Sequence, residues 1–444
     1  MSDSSNSRIH GFYRLTPDAR SRIIQEFSGV TEEQMSALTP DVGLPLSRAN
    51  RMIENVAGVF CLPIGFAPNF RVDGVDYILP MVVEEPSVVA AAANGARLLR
   101  EGAGIQTTTT APIMIAQIQL LDLPDPGDAV ARIQAARPEL MQRADETRPS
   151  LVDRGGGCRD VTVRQLANTR SGDMVIVHLH VDVRDAMGAN IVTTMAERLA
   201  PFLEQLTGGR AGLRILSNLA SERLVTAEGR IPLRLLEHAA PGYDGVEVAR
   251  RIEEASVFAE VDPYRAATHN KGIMNGIDAV LVATGQDWRA VEAGAHAYAA
   301  RSGSYSALAT WRLEGDQLVG RLTLPMQVGT VGGIIGVHHT VDLMLRVLNV
   351  EGADHLGRIA AAAGLAQNLS AVLKLATEGV RRGHMALHAR NIAVQAGAEG
   401  PEVDRVVRAM VDTDTFDSRS AQRIVAALRQ PQVGQPPLAG APRA

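Results

Sequence analysis

Cysteine is nearly absent: Cys61 and Cys158 are the only two in 444 residues. Neither sits in a CxxC pair, so a disulfide framework and a structural zinc site are excluded and a reducing, cytoplasmic compartment is expected. Aromatic residues make up only 4%, while Ala and Gly abound, which favours closely packed helices over an aromatic recognition surface. Basic charge is not in surplus. With 44 Lys and Arg against 49 Asp and Glu, the net charge of -5 argues against a nucleic-acid partner. No run approaches the roughly 20 uninterrupted apolar residues of a membrane span, so no membrane partner is expected. The opening MSDSSNSRIHGFYR lacks the apolar core of a signal peptide.

What is present is a long chain of ordinary globular composition, which predicts two or more domains. Residues 1–10 and the Pro-rich tail from about Gln430 read as disordered. Thr16-Pro17 and the capping-box spacing Thr31-Glu32-Glu33-Gln34 predict two short opening helices. Residues 75–83 read as a strand that runs into the acidic turn Glu84-Glu85-Pro86-Ser87 and an Ala-rich helix to Arg100. Between Pro112 and Asn218 the texture changes. A strand at 113–123, a helix at 128–146 interrupted at Pro138, an alternating strand at 174–183, a helix at 185–206 and a strand at 213–216 suggest a split βαβ unit inserted into a larger domain. Helix dominates from about Asp244, broken by a hairpin of 307–313 with 317–324. The fold class is therefore α+β.

Four segments carry chemistry. Glu54-Asn55-Val56-Ala57-Gly58 is followed by the Glu84-Glu85 turn, where adjacent carboxylates raise one pKa and make a neutral acid available; a solvated turn is the plain alternative. In Arg184-Asp185-Ala186-Met187-Gly188-Ala189-Asn190 a strand gives way to a helix, whose free N–H groups could seat a pyrophosphate. The plain alternative there is helix capping by Asp185 with tight packing at Gly188, and no GxGxxG fingerprint accompanies it. In His269-Asn270-Lys271-Gly272-Ile273-Met274-Asn275-Gly276, Lys271 and Asn275 share a helical face. A buried Lys271 paired with Asp287 would stabilise an oxyanion, against the alternative of a surface lysine and a capping aspartate. Finally, His384 and His388 lie four apart without the third ligand of an HExxH site, so a proton donor fits better than a metal ligand; a structural histidine remains open.

Together these segments resemble 3-hydroxy-3-methylglutaryl-CoA (HMG-CoA) reductase in its soluble bacterial, class II form. The matching phrases are ENVAG, VVEEPSVVAAA, RDAMGAN, RILSNLA, THNKGIMNGID, ATGQDWRAVEAGAHAYAARSG, GTVGG, GLAQNL and GHMALHARNIA, in the family's order from about Arg14 to Ala396. The resemblance implies interconversion of mevalonate plus CoA with HMG-CoA, by two hydride transfers through bound mevaldehyde species. It implies Glu85 as proton donor, Lys271 as oxyanion stabiliser, Asp287 as its support and His384 as the acid that protonates the CoA thiolate. Ser87, Asn218, Arg265, Asn275 and Gln367 match substrate contacts, and Arg14 a contact to CoA phosphate. Asp185, Met187, Gly188 and Asn190 match the cofactor site. The architecture implied is a large, mainly helical CoA- and substrate-binding domain from 1–111 and 218–378. A ferredoxin-like nicotinamide domain is inserted at 112–217, and a C-terminal helical flap follows at 379–430, ahead of the tail 431–444. The implied assembly is a homodimer, or dimers of it, with active sites at the subunit interface.

Overall similarity favours NAD(H) as cofactor, with coenzyme A as co-substrate and no metal. One departure points toward NADP(H). NADH-using relatives carry an Asp shortly before the GGGCRD-like segment, and the ungapped equivalent here is Arg148, with Asp145 and Asp153 nearby. An Arg there can take a 2′-phosphate. The competing class is a homologue that binds CoA ligands without turnover, and the four catalytic matches weigh against it. A thioesterase is disfavoured because there is no GxSxG elbow.

Overall fold

A computed structural model describes residues 6–237, 239–240, 242–377, 379 and 389–429. Thr16 caps α1 (Pro17–Ser28) by accepting from the Ala19 N–H, with proline in the first helical turn, and Thr31 and Gln34 close the expected capping box over Glu32–Met35. Residues 6–10 are ordered, contrary to the compositional reading. Buried Ser7 donates to the Phe70 carbonyl, and its own N–H reaches Asp76, which pairs with Arg100.

β1 (Ile64–Val72) and β2 (Val75–Val82) form a hairpin across Asp73-Gly74, both at positive φ as a two-residue turn requires. Then come α2 (Val88–Glu101) and β3 (Ile105–Thr109). The chain now leaves this layer to build β4 (Ile113–Leu121), α3 (Pro126–Ala135), α4 (Arg137–Glu146), β5 (Gly157–Leu166), β6 (Met174–Asp182), α5 (Ala189–Thr207) and β7 (Arg210–Ser217). These four strands make their own antiparallel sheet in the order β5-β6-β4-β7, the crossed connectivity of a split βαβ unit. Their inner face and α3 to α5 enclose a separate core around Met114, Leu140, Leu179, Met195 and Leu203. The helical stretch 128–146 breaks at Ala136, which leaves Pro138 in the first turn of α4, where proline costs nothing. The helix expected from Asp185 starts only at Ala189, because Arg184 and Gly188 hold positive φ.

β8 (Leu224–Pro232) returns beside β3. After it come α6 (Gly245–Val261), α7 (Pro263–Ala283), α8 (Trp288–Ala299), the hairpin β9 (Ala309–Glu314) and β10 (Gln317–Pro325), α9 (His339–Val347) and α10 (Ala353–Ala376). The larger sheet runs β2-β1-β3-β8-β10-β9. α10 is the centre of this half. It is long and apolar enough to cross a membrane by composition, yet it is mostly buried. Asp354, Arg358, Gln367 and Asn368 interrupt it, which is why no uninterrupted apolar run announces it. It packs on α2 at Gly95, where a Cβ would meet the Ala366 carbonyl at 1.9 Å. On α7 it packs at Gly276, whose Cβ would meet Gln367 and the Ala363 carbonyl. Glycine therefore sets both helix spacings.

A separate unit comprises Glu85–Ser87 with the C-terminal residues. Within it, α11 (Pro401–Asp412) and α12 (Ser418–Arg429) bury Val406, Met410, Ala421 and Val425 together with Ala389 and Ala393. The tail 431–444 lies outside the described residues.

Candidate active site

α7 carries three of the expected site residues. Asp262 caps it through the Arg265 N–H, and the helix then presents Arg265, Lys271 and Asn275 along its length. Arg265 is half-buried, burial lowers its pKa, and no carboxylate pairs with it among the described residues. That leaves a guanidinium ready for an incoming anion. Lys271 is exposed in the single chain, whereas the sequence suggested burial. The lysine emerges on the outer face of α7, while His269 and Asn270 turn inward and are buried. His269 meets the Ala309 carbonyl and Asn368, and burial above all drops its pKa to about 4.

Asp287 opens α8. It accepts from the Ala290 N–H at 3.1 Å and lies 3.7 Å from Arg289, with its side chain about half exposed. It is thus a capping aspartate by position, which does not prevent a second role. Gln367 faces α7 from α10; it is buried and its Oε1 meets no donor among the described residues. Asn218 follows β7, and its carbonyl receives the Gln327 side-chain amide at 3.0 Å. The same amide also binds the Ala290 carbonyl at 2.7 Å, tying the Asn218 turn to α8. The fold therefore gathers Arg265, Lys271, Asn275, Asp287, Asn218 and Gln367 around α7 and α8. Glu85 and Ser87 occupy the turn between β2 and α2, Ser87 at a φ of 80° that only a constrained non-glycine residue adopts. His384 and His388 lie outside the described residues.

The Asp185–Gly188 loop is anchored to the larger half of the molecule. Asp185 does not cap its own helix. Its Oδ1 accepts from the Ala353 N–H at the start of α10, and its carbonyl from the Thr330 N–H. α5 begins at Gly188 without a side-chain cap, so its first-turn N–H groups are not occupied by a capping side chain. Met187 runs against Gly329, where any Cβ would stand 2.5 Å from the Met187 nitrogen. Gly329 in turn donates to Gln286, the neighbour of Asp287. Asn190 lies exposed in the first turn of α5.

Arg223 went unnoticed in the sequence. It is buried, and its guanidinium donates to the carbonyls of Ala186 at 3.0 Å, Met187 at 3.2 Å and Val328 at 2.7 Å. Burial lowers its pKa to about 10, with Asp182, Asp185 and Asp354 opposing, so it stays charged at neutral pH. Nothing in LASERL marks an arginine that will be buried.

Arg148 precedes the short helix Pro149–Val152. One terminal nitrogen donates to Thr194 on α5 at 3.0 Å, and its Nε is buried without an acceptor among the described residues. Asp145 is committed elsewhere, accepting from the Cys158 N–H at 2.7 Å.

A cavity of about 1020 Å³ lies between the N-terminal segment, α1, β1 and the outer face of α2. Phe12, Ile24, Leu62, Phe66 and Val89 make it apolar; Arg8, Arg20 and Arg97 make its polar rim basic, and no acidic residue lines it. Arg14 is exposed beside it, stacked on Tyr13.

The family model for hydroxymethylglutaryl-coenzyme A reductase matches residues 16–389. The 3-hydroxy-3-methylglutaryl-coenzyme A reductase of Archaeoglobus fulgidus is 49% identical over 425 residues, 96% of this chain and 95% of its own length. A probable reductase of the same name from Borreliella burgdorferi is 35% identical, covering 77% of each chain. A solved reductase structure from Streptococcus pneumoniae matches with a TM-score of 0.80 and 42% identity, over 95% of this chain and 99% of that one. Another from that organism, described as class II and bound to NADPH in open conformations, matches at 0.79 and 41%, over 94% and 100%. The chain belongs to the hydroxymethylglutaryl-coenzyme A reductase family, alongside the bacterial and archaeal class II enzymes.

Proposed function

We propose that the chain interconverts (R)-mevalonate plus CoA and HMG-CoA by two hydride transfers with a nicotinamide cofactor. The observation that carries the reading is the grouping on α7 and α8 of Arg265, Lys271, Asn275 and Asp287 beside Gln367 and the Asn218 turn. In this proposal Arg265 clamps the free carboxylate of the substrate, and Lys271 neutralises the oxyanion formed at the reacting carbonyl. Asp287 supports the charge on Lys271, Glu85 supplies the carbonyl proton, and Ser87, Asn218, Asn275 and Gln367 position the substrate. His384 protonates the departing CoA thiolate as the C-terminal segment closes like a flap and excludes water. The apolar cavity with its arginine rim suits the pantetheine and phosphates of CoA, with Arg14 beside it.

The inserted unit, ferredoxin-like in strand order, is proposed as the nicotinamide domain. The uncapped start of α5 would receive the pyrophosphate, with Asp185, Met187, Gly188 and Asn190 around it. Here resemblance and geometry diverge. Overall resemblance favours NAD(H); Arg148, with its idle Nε and no carboxylate partner among the described residues, supports a 2′-phosphate. The geometric observation weighs more, and NADP(H) is the proposed nucleotide, with NAD(H) the weaker one.

A second copy of the chain completes the site in this reading. Lys271 is exposed, and so are the apolar Val261 (74%) and Tyr264 (90%) where α6 passes into α7, and Phe60 (88%) beyond the ENVAG segment. Patches of this kind mark interfaces. A cytoplasmic location is part of the proposal.

The test is nicotinamide absorbance followed with mevalonate, CoA and either oxidised nucleotide. Reduction that needs both mevalonate and CoA, and that Lys271→Ala abolishes with the fold retained, supports the reading. No signal in either direction would make a non-catalytic CoA-ligand binder the better account.

A further inference from the structure

Beyond Lys271 and Asn275, the same face of α7 continues to Asp278, at i, i+4 and i+7. Asp278 therefore stands two turns, roughly 10 Å, along the axis from Lys271. The face passes from exposed at Lys271 to half-buried at Asn275 and Asp278. Opposite it, α8 presents Glu292 and His296 one turn apart. The Asp278 carboxyl is hydrogen-bonded to Glu292, and Glu292 Oε2 lies 2.5 Å from His296 Nε2. His296 Nδ1 lies 2.7 Å from the Tyr305 hydroxyl, the two rings stacked. Tyr305 lies near Asn270, the buried neighbour of Lys271 on the inward side of α7.

Packing does not call for this arrangement. Two carboxyls in contact must share a proton, and burying them costs free energy that apolar side chains would avoid. Burial first, then the hydrogen bond to Glu292 and its repulsion, push Asp278 up to about 9, so Asp278 holds the proton. Glu292 is held ionised chiefly by its bond to His296, and the same bond raises His296. The charged and titratable groups facing one another here are thus Asp278, Glu292, His296 and Tyr305 themselves. One oxygen of Asp278, Oδ1, is buried and receives no donor among the described residues. His296 keeps 41% of its side chain in solvent. One end of the chain is open to water and the other ends on the lysine-bearing face.

We propose that Asp278, Glu292 and His296 form a proton relay between solvent and the Lys271 face, serving the reaction proposed above and resting on that reading. Reduction of the thioester to the alcohol takes up two protons along with two hydrides. For the one taken up at the carbonyl oxygen, the Asp278 carboxyl replenishes the donor by releasing its proton to a water on the Lys271 face, and becomes a carboxylate. The N–H bond at His296 Nε2 breaks as Glu292 takes that proton and passes it to Asp278, and neutral His296 regains one from solvent. Oxidation runs the same transfers backwards. Asp278 is a relay residue acting through others, not one that touches the reacting carbon.

The experiment compares kcat across pH for the wild-type chain, Asp278→Asn and His296→Ala. Asp278→Asn keeps the shape and a donor toward Glu292, so a purely structural role survives it. For reduction of HMG-CoA, the relay predicts an alkaline decline of kcat in the wild type that Asp278→Asn removes, with kcat lower about tenfold or more and both KM values within about twofold. It also predicts that His296→Ala is slowed and is rescued by added imidazole. Wild-type kcat and an unchanged alkaline limb in Asp278→Asn would overturn the relay. Should Asp278→Asn fail to fold by circular dichroism, His296→Ala decides: rescue supports the relay and lack of rescue overturns it. The infrared band of a protonated carboxyl, lost in Asp278→Asn, reads the acid without turnover. Turnover without that band sinks the relay alone; the band without wild-type turnover removes the reaction and the relay's purpose with it.

Discussion

Replacing Arg223 by Met should loosen the Asp185–Gly188 loop without touching any proposed catalytic group. Arg223 donates three charge-assisted hydrogen bonds to carbonyls on two segments, Ala186 and Met187 on one side and Val328 on the other. Such bonds contribute roughly 1.5–3 kcal/mol each. Water will enter and satisfy part of what is lost, so the three together should cost about 3–5 kcal/mol. That shifts the balance between held and released loop by roughly 10² to 10³-fold or more, at 1.4 kcal/mol per decade. Both tryptophans, Trp288 and Trp311, lie outside the four-stranded unit. In urea, tryptophan fluorescence therefore follows the larger half and far-ultraviolet circular dichroism follows both. The two transitions should overlie in the wild type and separate in Arg223→Met, with weaker nucleotide binding by fluorescence titration. Arg223→Lys, which keeps the charge and part of the bonding, should fall between. Coincident transitions and unchanged nucleotide affinity in Arg223→Met would refute the strut.

Three other outcomes are expected. Arg148→Asp should shift the ratio of kcat/KM from NADP(H) toward NAD(H) by tenfold or more, about 1.4 kcal/mol; an unmoved ratio would show that Arg148 does not meet the ribose. Cys158 is buried and its thiol is pushed up to about 12, chiefly by burial, while Cys61 is exposed. A thiol reagent should modify Cys61 first, more slowly as protein concentration rises if a second copy covers this segment, and Cys158 only on unfolding. Rapid native labelling of Cys158 would contradict its burial. Stability should decline as pH rises from about 4 toward 9, because Asp278 binds its proton more tightly folded than unfolded and the unfolded carboxyl ionises first. Urea midpoints across that range should show the decline, flattened in Asp278→Asn; a midpoint that rises with pH by the same amount in both proteins would contradict it.

Local chemistry was the legible part of this chain. Thr16, Thr31 and the Lys271 helix announce themselves because caps and helical spacing act within a few residues. β1 was missed because Pro68 and Asn69 break its alternation at a bulge, and β3 because five residues alone carry little pattern. The site's residue types were readable from motifs, but their supports were not. Arg223 and Gln327 act on carbonyls distant in sequence, and a backbone carbonyl leaves no signature in the chain that binds it. The plain alternative for Asp185, a cap for the helix that follows it, fails because its carboxylate accepts from the start of α10, 168 residues away. The exposure of Lys271 was likewise hidden, since burial depends on what else the chain or its copies bring to α7.

β3 and β8, the last strand before the four-stranded unit and the first after it, lie side by side with Thr109 opposite Val225. The Thr110 N–H bonds the Leu224 carbonyl, and the Leu224 N–H bonds the Thr110 hydroxyl. The two cut ends are already the two sides of a hairpin. Everything from residue 112 to residue 222 could be deleted and a tight turn spliced across the gap, leaving the six-stranded sheet in register. Recombination could have gained or exchanged such a cassette in one step, and a designer could install a different one at the same socket.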